Sequence, residues 1–166
     1  MAERVWGVVV AGLGGQGVIK TSDILAQAAF DGGWDVKKAE IHGMSQRGGS
    51  VSSDVRFGPR VLSPMIPAGE ADCLLLVDVG QLAANADRPR PDAPIITPEL
   101  IDPSALTTRR ALGVALLGVL SHLLPLEVEC WQQAIRDNLA ERLWSANLAA
   151  FDVGRSVDVR SLGATT

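Results

Sequence analysis

Residues 5–33 read VWGVVVAGLGGQGVIKTSDILAQAAFDGG, and the way this stretch folds decides the architecture. Residues 5–11 form a continuous apolar run rich in β-branched side chains, the pattern of a central strand covered on both faces. Gly12, Gly14 and Gly17 follow at the spacing G-x-G-x-x-G. Val18, Ile19, Ile24, Leu25, Ala28 and Ala29 then recur at helical spacing until Gly32 and Gly33 supply a C-terminal stop. Residues 34–41 read as a second strand, so strand, glycine turn, helix and strand fit the span of a βαβ unit. The expected fold is α/β, a Rossmann-like three-layer domain with a mostly parallel sheet.

Further along, residues 51–57 (VSSDVRF) alternate as a half-exposed strand does. Gly58 and Pro59 turn the chain, and residues 61–66 are expected to return as the partner of a β-hairpin. Residues 71–79 (ADCLLLVDV) read as another buried strand, and Ile95–Ile96 as one more short one. The last third is helical. One helix is expected over 108–124 with Thr107 or Thr108 as its cap, and a second apolar pattern runs from Glu127 through Trp131, Ile135, Leu139, Leu143, Trp144 and Leu148 to Phe151. One domain is expected over residues 1–156, with 157–166 as a flexible tail.

In 166 residues, 47% hydrophobic and 20% charged, there is material for a real core, which excludes a disordered chain. A formal charge of −4 with no long Lys/Arg run argues against nucleic acid as a partner. The longest apolar stretch, residues 111–126, contains Ser121 and His122 and ends near Pro125; it reads as a buried helix rather than a membrane span. The acidic Glu3 stands where a secretory signal would carry a basic region. Cys73 and Cys130 lie far apart with no Cys-x-x-Cys, which excludes a zinc ribbon or an iron–sulfur cluster held by this chain alone. They read as reduced core thiols, fitting a cytoplasmic protein. No metal site is expected.

The glycine turn admits two readings. Its glycines let a pyrophosphate approach the backbone at a helix N-terminus, and Glu40 follows about twenty residues on, where the ribose-binding acid of a dinucleotide site belongs. The same glycines also serve simply to pack a helix tightly on a sheet. A second motif follows at residues 40–51, EIHGMSQRGGSV. Adjacent Gly48 and Gly49 remove the side chains that would hold another molecule at a distance, and Arg47 before them can grip a carboxylate or phosphate through two parallel hydrogen bonds.

In order along the chain, GLGGQGVI, EIHGMSQRGGSVSSDVRFG, SPMIPAGEAD and NLAAFDVG resemble the gamma domain of the 2-oxoacid:ferredoxin oxidoreductases. The likeness is nearest to the beta subunit of the indolepyruvate ferredoxin oxidoreductases, the aryl-pyruvate branch, and it covers residues 6–156. The resemblance implies a subunit that is inactive alone, in an enzyme that oxidatively decarboxylates an aryl 2-oxoacid (indolepyruvate, phenylpyruvate or phenylglyoxylate) with coenzyme A to an acyl-CoA. Electrons would pass to ferredoxin or a similar acceptor. Thiamine diphosphate, Mg2+ and [4Fe–4S] clusters would reside in a large partner subunit.

It further implies that Gly12, Gly14, Gly15, Gln16 and Gly17 shape the fold or face an anionic part of CoA. His42, Gly43, Ser45, Gln46, Arg47, Gly48 and Gly49, with Ser63, would line the face turned to the partner, and His42 and Arg47 are the candidate catalytic residues. Against these stand structural roles: His42 fixing its loop through a carbonyl, Arg47 in an intersubunit salt bridge, Met44 packing, Ser63 shaping a turn, His122 as a satisfied core residue. Two other readings of the whole chain are a free-standing NAD- or FAD-binding oxidoreductase and a purely structural subunit. Relatives carry glutamate at the position of Asp78, an asparagine near Arg109–Arg110 and a longer segment between residues 98 and 108.

Overall fold

The computed structural model describes residues 4–43 and 48–162. Its strands are β1 (Trp6–Leu13), β2 (Asp35–His42), β3 (Ser50–Gly58), β4 (Cys73–Leu76) and β5 (Ile95–Ile96); its helices are α1 (Val18–Asp31), α2 (Leu82–Asn85), α3 (Leu112–Leu120), α4 (Val128–Asn138) and α5 (Trp144–Arg155). The sheet runs in the order β2-β3-β1-β4-β5. β1 pairs parallel with β4, and β4 with β5, while β3 lies antiparallel between β1 and β2. Four of the five strands therefore point one way, which is the mostly parallel sheet expected.

The apolar run before the glycine turn becomes the central strand, with Val8, Val9 and Val10 all inaccessible. Val8 and Val10 face the main core with Val55, Phe57, Cys73, Leu75 and Ile96, under a layer built from α1, α3, α4 and α5. Val9 and Ala11 face the opposite side, where Leu74, Leu76, Ile66 and Ala71 make a smaller core. Segment 59–72 and α2 form this thinner third layer.

Small residues set how closely the helices approach. A Cβ on Gly154 of α5 would lie 1.8 Å from the Ala115 carbonyl oxygen of α3, and one on Gly118 of α3 would lie 2.2 Å from that of Phe151. The two backbones are in contact, and no larger side chain fits at either position. None of the described helices is long and apolar enough to cross a membrane.

Several expectations need correcting. Residues 61–66 are not a strand, and the hairpin is instead β2 with β3, joined by the 43–49 connection. Pro59, Pro64 and Pro67 deny segment 59–67 backbone donors for a ladder, and side chains hold it in place. Asp35 accepts from the Val61 N–H at 2.7 Å, Asp54 from the Ile66 N–H at 2.9 Å, and Arg56 donates to the Ser63 and Met65 carbonyls. The βαβ reading also fails in detail, because β3 separates β1 from β2. The expected 108–124 helix is regular only over α3, preceded by a 3-10 turn at Arg109–Ala111 that Thr108 caps through the Arg110 N–H. The pattern after Glu127 is two helices. They break at Leu139–Leu143, where the Trp144 indole donates to the Arg136 and Leu139 carbonyls and closes the end of α4.

Candidate functional site: a cleft at the switch point of the sheet

The chain leaves β1 toward β2 on one side of the sheet and leaves β4 toward β5 on the other. The carboxyl ends of β1 and β4 are therefore a topological switch point, where open α/β sheets place their ligands. Residues 12–17 lie at one lip of this crevice and residues 77–81 at the other.

The turn depends on its glycines. Gly15 and Gly17 have φ of 87° and 81°, in the left-handed region that favours glycine. Gly12 admits α1 against the strand, since a Cβ there would stand 2.7 Å from Val18 Cγ2. Gly17 is also the N-cap of α1 and no side chain caps that helix, so the positive end of its dipole faces the crevice without a side-chain partner.

Gln16 ties the two lips together. Its Oε1 accepts from the Leu13 N–H at 2.7 Å and its Nε2 donates to Asp78 Oδ2 at 2.7 Å. Asp78 Oδ1 accepts from the Gly80 N–H at 2.8 Å. The Gln16 bond first, and the Gly80 N–H second, hold the Asp78 carboxyl below the usual carboxylate range. The glycine turn is also joined to the second motif: the Gly14 N–H donates to the Gly49 carbonyl at 2.9 Å.

Between the lips lies a cavity of about 490 Å³ lined by Gly15, Gln16, Gly17, Val77, Arg109, Arg110 and Leu112. Neither guanidinium has a carboxylate partner among the described residues. Both sit in the turn that opens α3, where a positive charge meets the positive end of a helix dipole and is disfavoured. An anion between them and the glycine turn would relieve that repulsion. In the sequence Arg109 and Arg110 stand out only as a departure from the family pattern. Two arginines opening an apolar helix, on the wrong side of its dipole, were the signal available.

The other expected site residues are distributed as follows. His42 ends β2, more than half exposed, with Nε2 3.9 Å from Glu40 Oε2. It shares a cavity with Gly14, Gly15, Gly17, Lys20 and Asp23 on the other side of the turn. Gly43 donates to the Ser50 carbonyl at 2.7 Å and closes the hairpin. Gly48 has a φ of 63°, so it too needs the left-handed region. Ser45, Gln46 and Arg47, with Met44, lie outside the described residues.

Ser63 is not brought to the crevice. It lies beside Arg56, whose strand position pairs with Gly7 near the opposite end of β1, and its hydroxyl accepts from the Met65 N–H at 3.2 Å, shaping a turn. Glu40 is on the edge strand with β3 between it and β1, and its carboxylate takes a hydrogen bond from Lys38 at 2.6 Å. The ribose-binding geometry of a dinucleotide site, which needs that acid on the strand beside β1, is not built. His122 is exposed rather than in the core, its ring Nε2 2.7 Å from the Arg155 carbonyl oxygen. Cys73 is buried in β4, and that burial, with the charge of Asp72, pushes its thiol well up. Among the described residues no three His, Cys, Asp or Glu side chains converge on a metal position, so their donor set does not fit an iron–sulfur cluster.

Comparison with known proteins agrees with this architecture. The chain is 32% identical to the indolepyruvate oxidoreductase subunit IorB of Methanothermobacter thermautotrophicus, over 90% of this chain and 95% of that one. It is 31% identical to the IorB of Archaeoglobus fulgidus, over 89% and 92%. The fold is shared with the pyruvate oxidoreductase subunit PORC of Thermotoga maritima (TM-score 0.76, 18% identity, 93% of this chain and 97% of that one). It is shared too with the 2-oxoglutarate:ferredoxin oxidoreductase of Magnetococcus marinus, solved with 2-oxoglutarate, coenzyme A and succinyl-CoA bound (TM-score 0.78, 20% identity), of whose chain this one spans 32% while 99% of its own length is covered. Residues 7–109, from the start of β1 through the glycine turn, the hairpin and the sheet to the first arginine of the cleft, match the family described as pyruvate ferredoxin/flavodoxin oxidoreductase, and the chain belongs to that family.

Proposed function

We propose that this chain is the small subunit of a thiamine-diphosphate-dependent 2-oxoacid:ferredoxin oxidoreductase that converts an aryl 2-oxoacid, of the indolepyruvate, phenylpyruvate or phenylglyoxylate type, to its acyl-CoA. The switch-point cleft is the place where it holds the phosphate-bearing part of CoA. One observation carries this reading: an uncapped helix N-terminus, a glycine backbone open to close approach and two arginines without carboxylate partners among the described residues converge on one cavity. Each favours an anion, and together they suit a diphosphate.

Thiamine diphosphate with Mg2+ and the iron–sulfur clusters, assigned to a large partner subunit, supply the decarboxylation and carry electrons to ferredoxin or a similar acceptor. This chain's residues bind and orient. Arg109, Arg110 and the amides at the start of α1 fix the CoA phosphates, and Gln16 with Asp78 keeps the two lips of the cleft at a set separation. Positioning of this kind lowers the entropic part of a barrier without contributing a nucleophile. The assignment to the aryl branch is supported by the indolepyruvate oxidoreductase subunits among the relatives. His42 and the 43–49 connection, joined to the glycine turn through Gly14 and Gly49, are assigned to the face turned toward the partner.

The test is affinity capture of the tagged chain from its native cell, with thiamine, iron and flavin determined on what comes down. A large subunit carrying thiamine and iron is the expected result. A lone chain carrying a bound nucleotide would overturn the proposal in favour of a free-standing dinucleotide enzyme.

A further inference from the structure

β2 stands at one end of the sheet and pairs with β3 along its whole length, from Asp35 with Gly58 to His42 with Val51. Its other edge pairs with no strand among the described residues. Every second residue along such an edge turns its N–H and C=O outward, a template that natural proteins blunt with proline, a bulge or free lysines. Residues 35–42 hold no proline, and their register with β3 is unbroken. Lys38 is not free, because its ammonium donates to Asp23 of α1 and, at 2.6 Å, to Glu40. Asp35 is occupied by the Val61 N–H. That leaves Lys37 to guard the strand.

The helix beside this edge carries exposed apolar side chains. Ile19, Asp23, Ala26 and Phe30 follow one another at spacings of four, three and four, and so share one face of α1. The Asp23–Lys38 bond turns that face toward β2. Ile19 is 37% exposed and Phe30 67%, and Ile41 near the end of β2 is 39% exposed. Open backbone and apolar surface therefore border the same margin of the domain.

We infer that this margin joins a second copy of the chain, with β2 pairing antiparallel with β2 about a twofold axis at Ala39, so that two five-stranded sheets become one. The sequence of the strand selects a copy of itself. Such an axis stands perpendicular to the sheet and keeps each face on its own side, so odd-numbered residues meet odd and even meet even. With the axis at Ala39, Lys38 lies opposite Glu40 of the second copy, the small Ala39 meets itself, and the Lys37 stem covers Ile41. An axis one residue away sets Lys38 against Lys38 or Glu40 against Glu40, and like charges directly opposite are destabilising.

α1 packs over β2 and β3, so the two α1 helices run antiparallel about the same axis, centred about 10–14 Å apart, or two to three strand spacings. Phe30 of each then reaches toward Ile19 of the other. No residue of the anion cleft takes part, and the pairing does not depend on CoA.

Ala39→Cys tests the pairing, in the captured assembly and in the purified full-length chain. Cysteines facing each other across the axis fall within the roughly 4.4–6.8 Å Cα separation of a disulfide. Mild oxidation is expected to link two copies of the small chain on a non-reducing gel. Lys37→Cys, on the same face but about 13 Å along the strand from its counterpart, should not link. Neither should the unaltered chain, which already carries Cys73 and Cys130. In sedimentation of the full-length chain, Phe30→Asp should raise the dimer dissociation constant at least tenfold with circular dichroism unchanged.

Failure of a folded Ala39→Cys chain to link, or equal linking by Lys37→Cys, would overturn the pairing. A dimer unlinked by Ala39→Cys and unmoved by Phe30→Asp would put the contact elsewhere, with the same consequence. A free chain that sediments as a monomer at every concentration, with a single copy in the assembly, would also overturn it and leave the edge to a strand of the large subunit.

Discussion

Asp54→Ala is expected to cost about 3–5 kcal/mol, the range found when one partner of a buried ion pair is removed. Asp54 sits in the middle of β3 on the face away from the large helices and is wholly inaccessible. Both its oxygens lie 2.8 Å from Arg88 Nη2, and one also accepts from the Ile66 N–H at 2.9 Å. Removing the carboxylate strands the largely buried Arg88 guanidinium and leaves the Ile66 amide without its acceptor. It also removes one anchor of segment 59–67, which keeps its bonds to Asp35 and Arg56.

Against a total stability of typically 5–15 kcal/mol, such a loss moves the urea midpoint far down or abolishes folding. Asp54→Asn keeps the shape and an acceptor and should lose less. The double variant Asp54→Ala with Arg88→Met, which removes both charges, should recover part of the loss. Equal midpoints for Asp54→Ala and the unaltered chain would show that the third layer is held by other contacts.

Arg109→Ala and Arg110→Ala should each raise the KM for CoA in the assembled enzyme by roughly tenfold, since a charge-assisted hydrogen bond to phosphate at an exposed site is worth about 1.5 kcal/mol. Both residues line the cleft and neither has a carboxylate partner among the described residues, so truncation leaves no buried charge unpaired. Because phosphates far from the reacting thiol are bound alike in ground and transition states, kcat should hold. The double variant should show up to a hundredfold, and less in high salt, where the unaltered enzyme also binds CoA more weakly. A KM that stays put in the double variant would remove the arginines from the CoA site.

The parts of this fold that could be read from sequence are those where local pattern and tertiary role coincide. Val8–Val9–Val10 is apolar on every residue because the strand is covered on both faces, and Gly15 and Gly17 stand where the backbone must turn left-handed. The places that misled depend on pairing, which local pattern does not carry. β3 inserts antiparallel between β1 and β2, and nothing within residues 5–41 announces it. Residues 61–66 looked like a strand because Val61, Leu62 and Ile66 are apolar, yet the prolines beside them leave Asp35 and Asp54 to supply the missing partners. The break after α4 depends on the Trp144 indole reaching back to Arg136 and Leu139, a contact that hydrophobic periodicity does not report.

The site divides along the same line. The glycine turn was visible as a motif, but its opposing lip was not, because only the order β1-β4-β5 brings Asp78 to Gln16 and the two arginines to the turn. In the sequence segment 98–108 differs from relatives only in length, while in the fold it walls a cavity beside that cleft.

The most direct measurement is amide hydrogen exchange across the captured complex, with and without CoA. The account predicts slowed exchange at residues 14–18 and 109–112, the two sides of the switch-point cleft, with no change along β2 around Glu40. Protection at Glu40 and the end of β2, or none at the glycine turn, would contradict it.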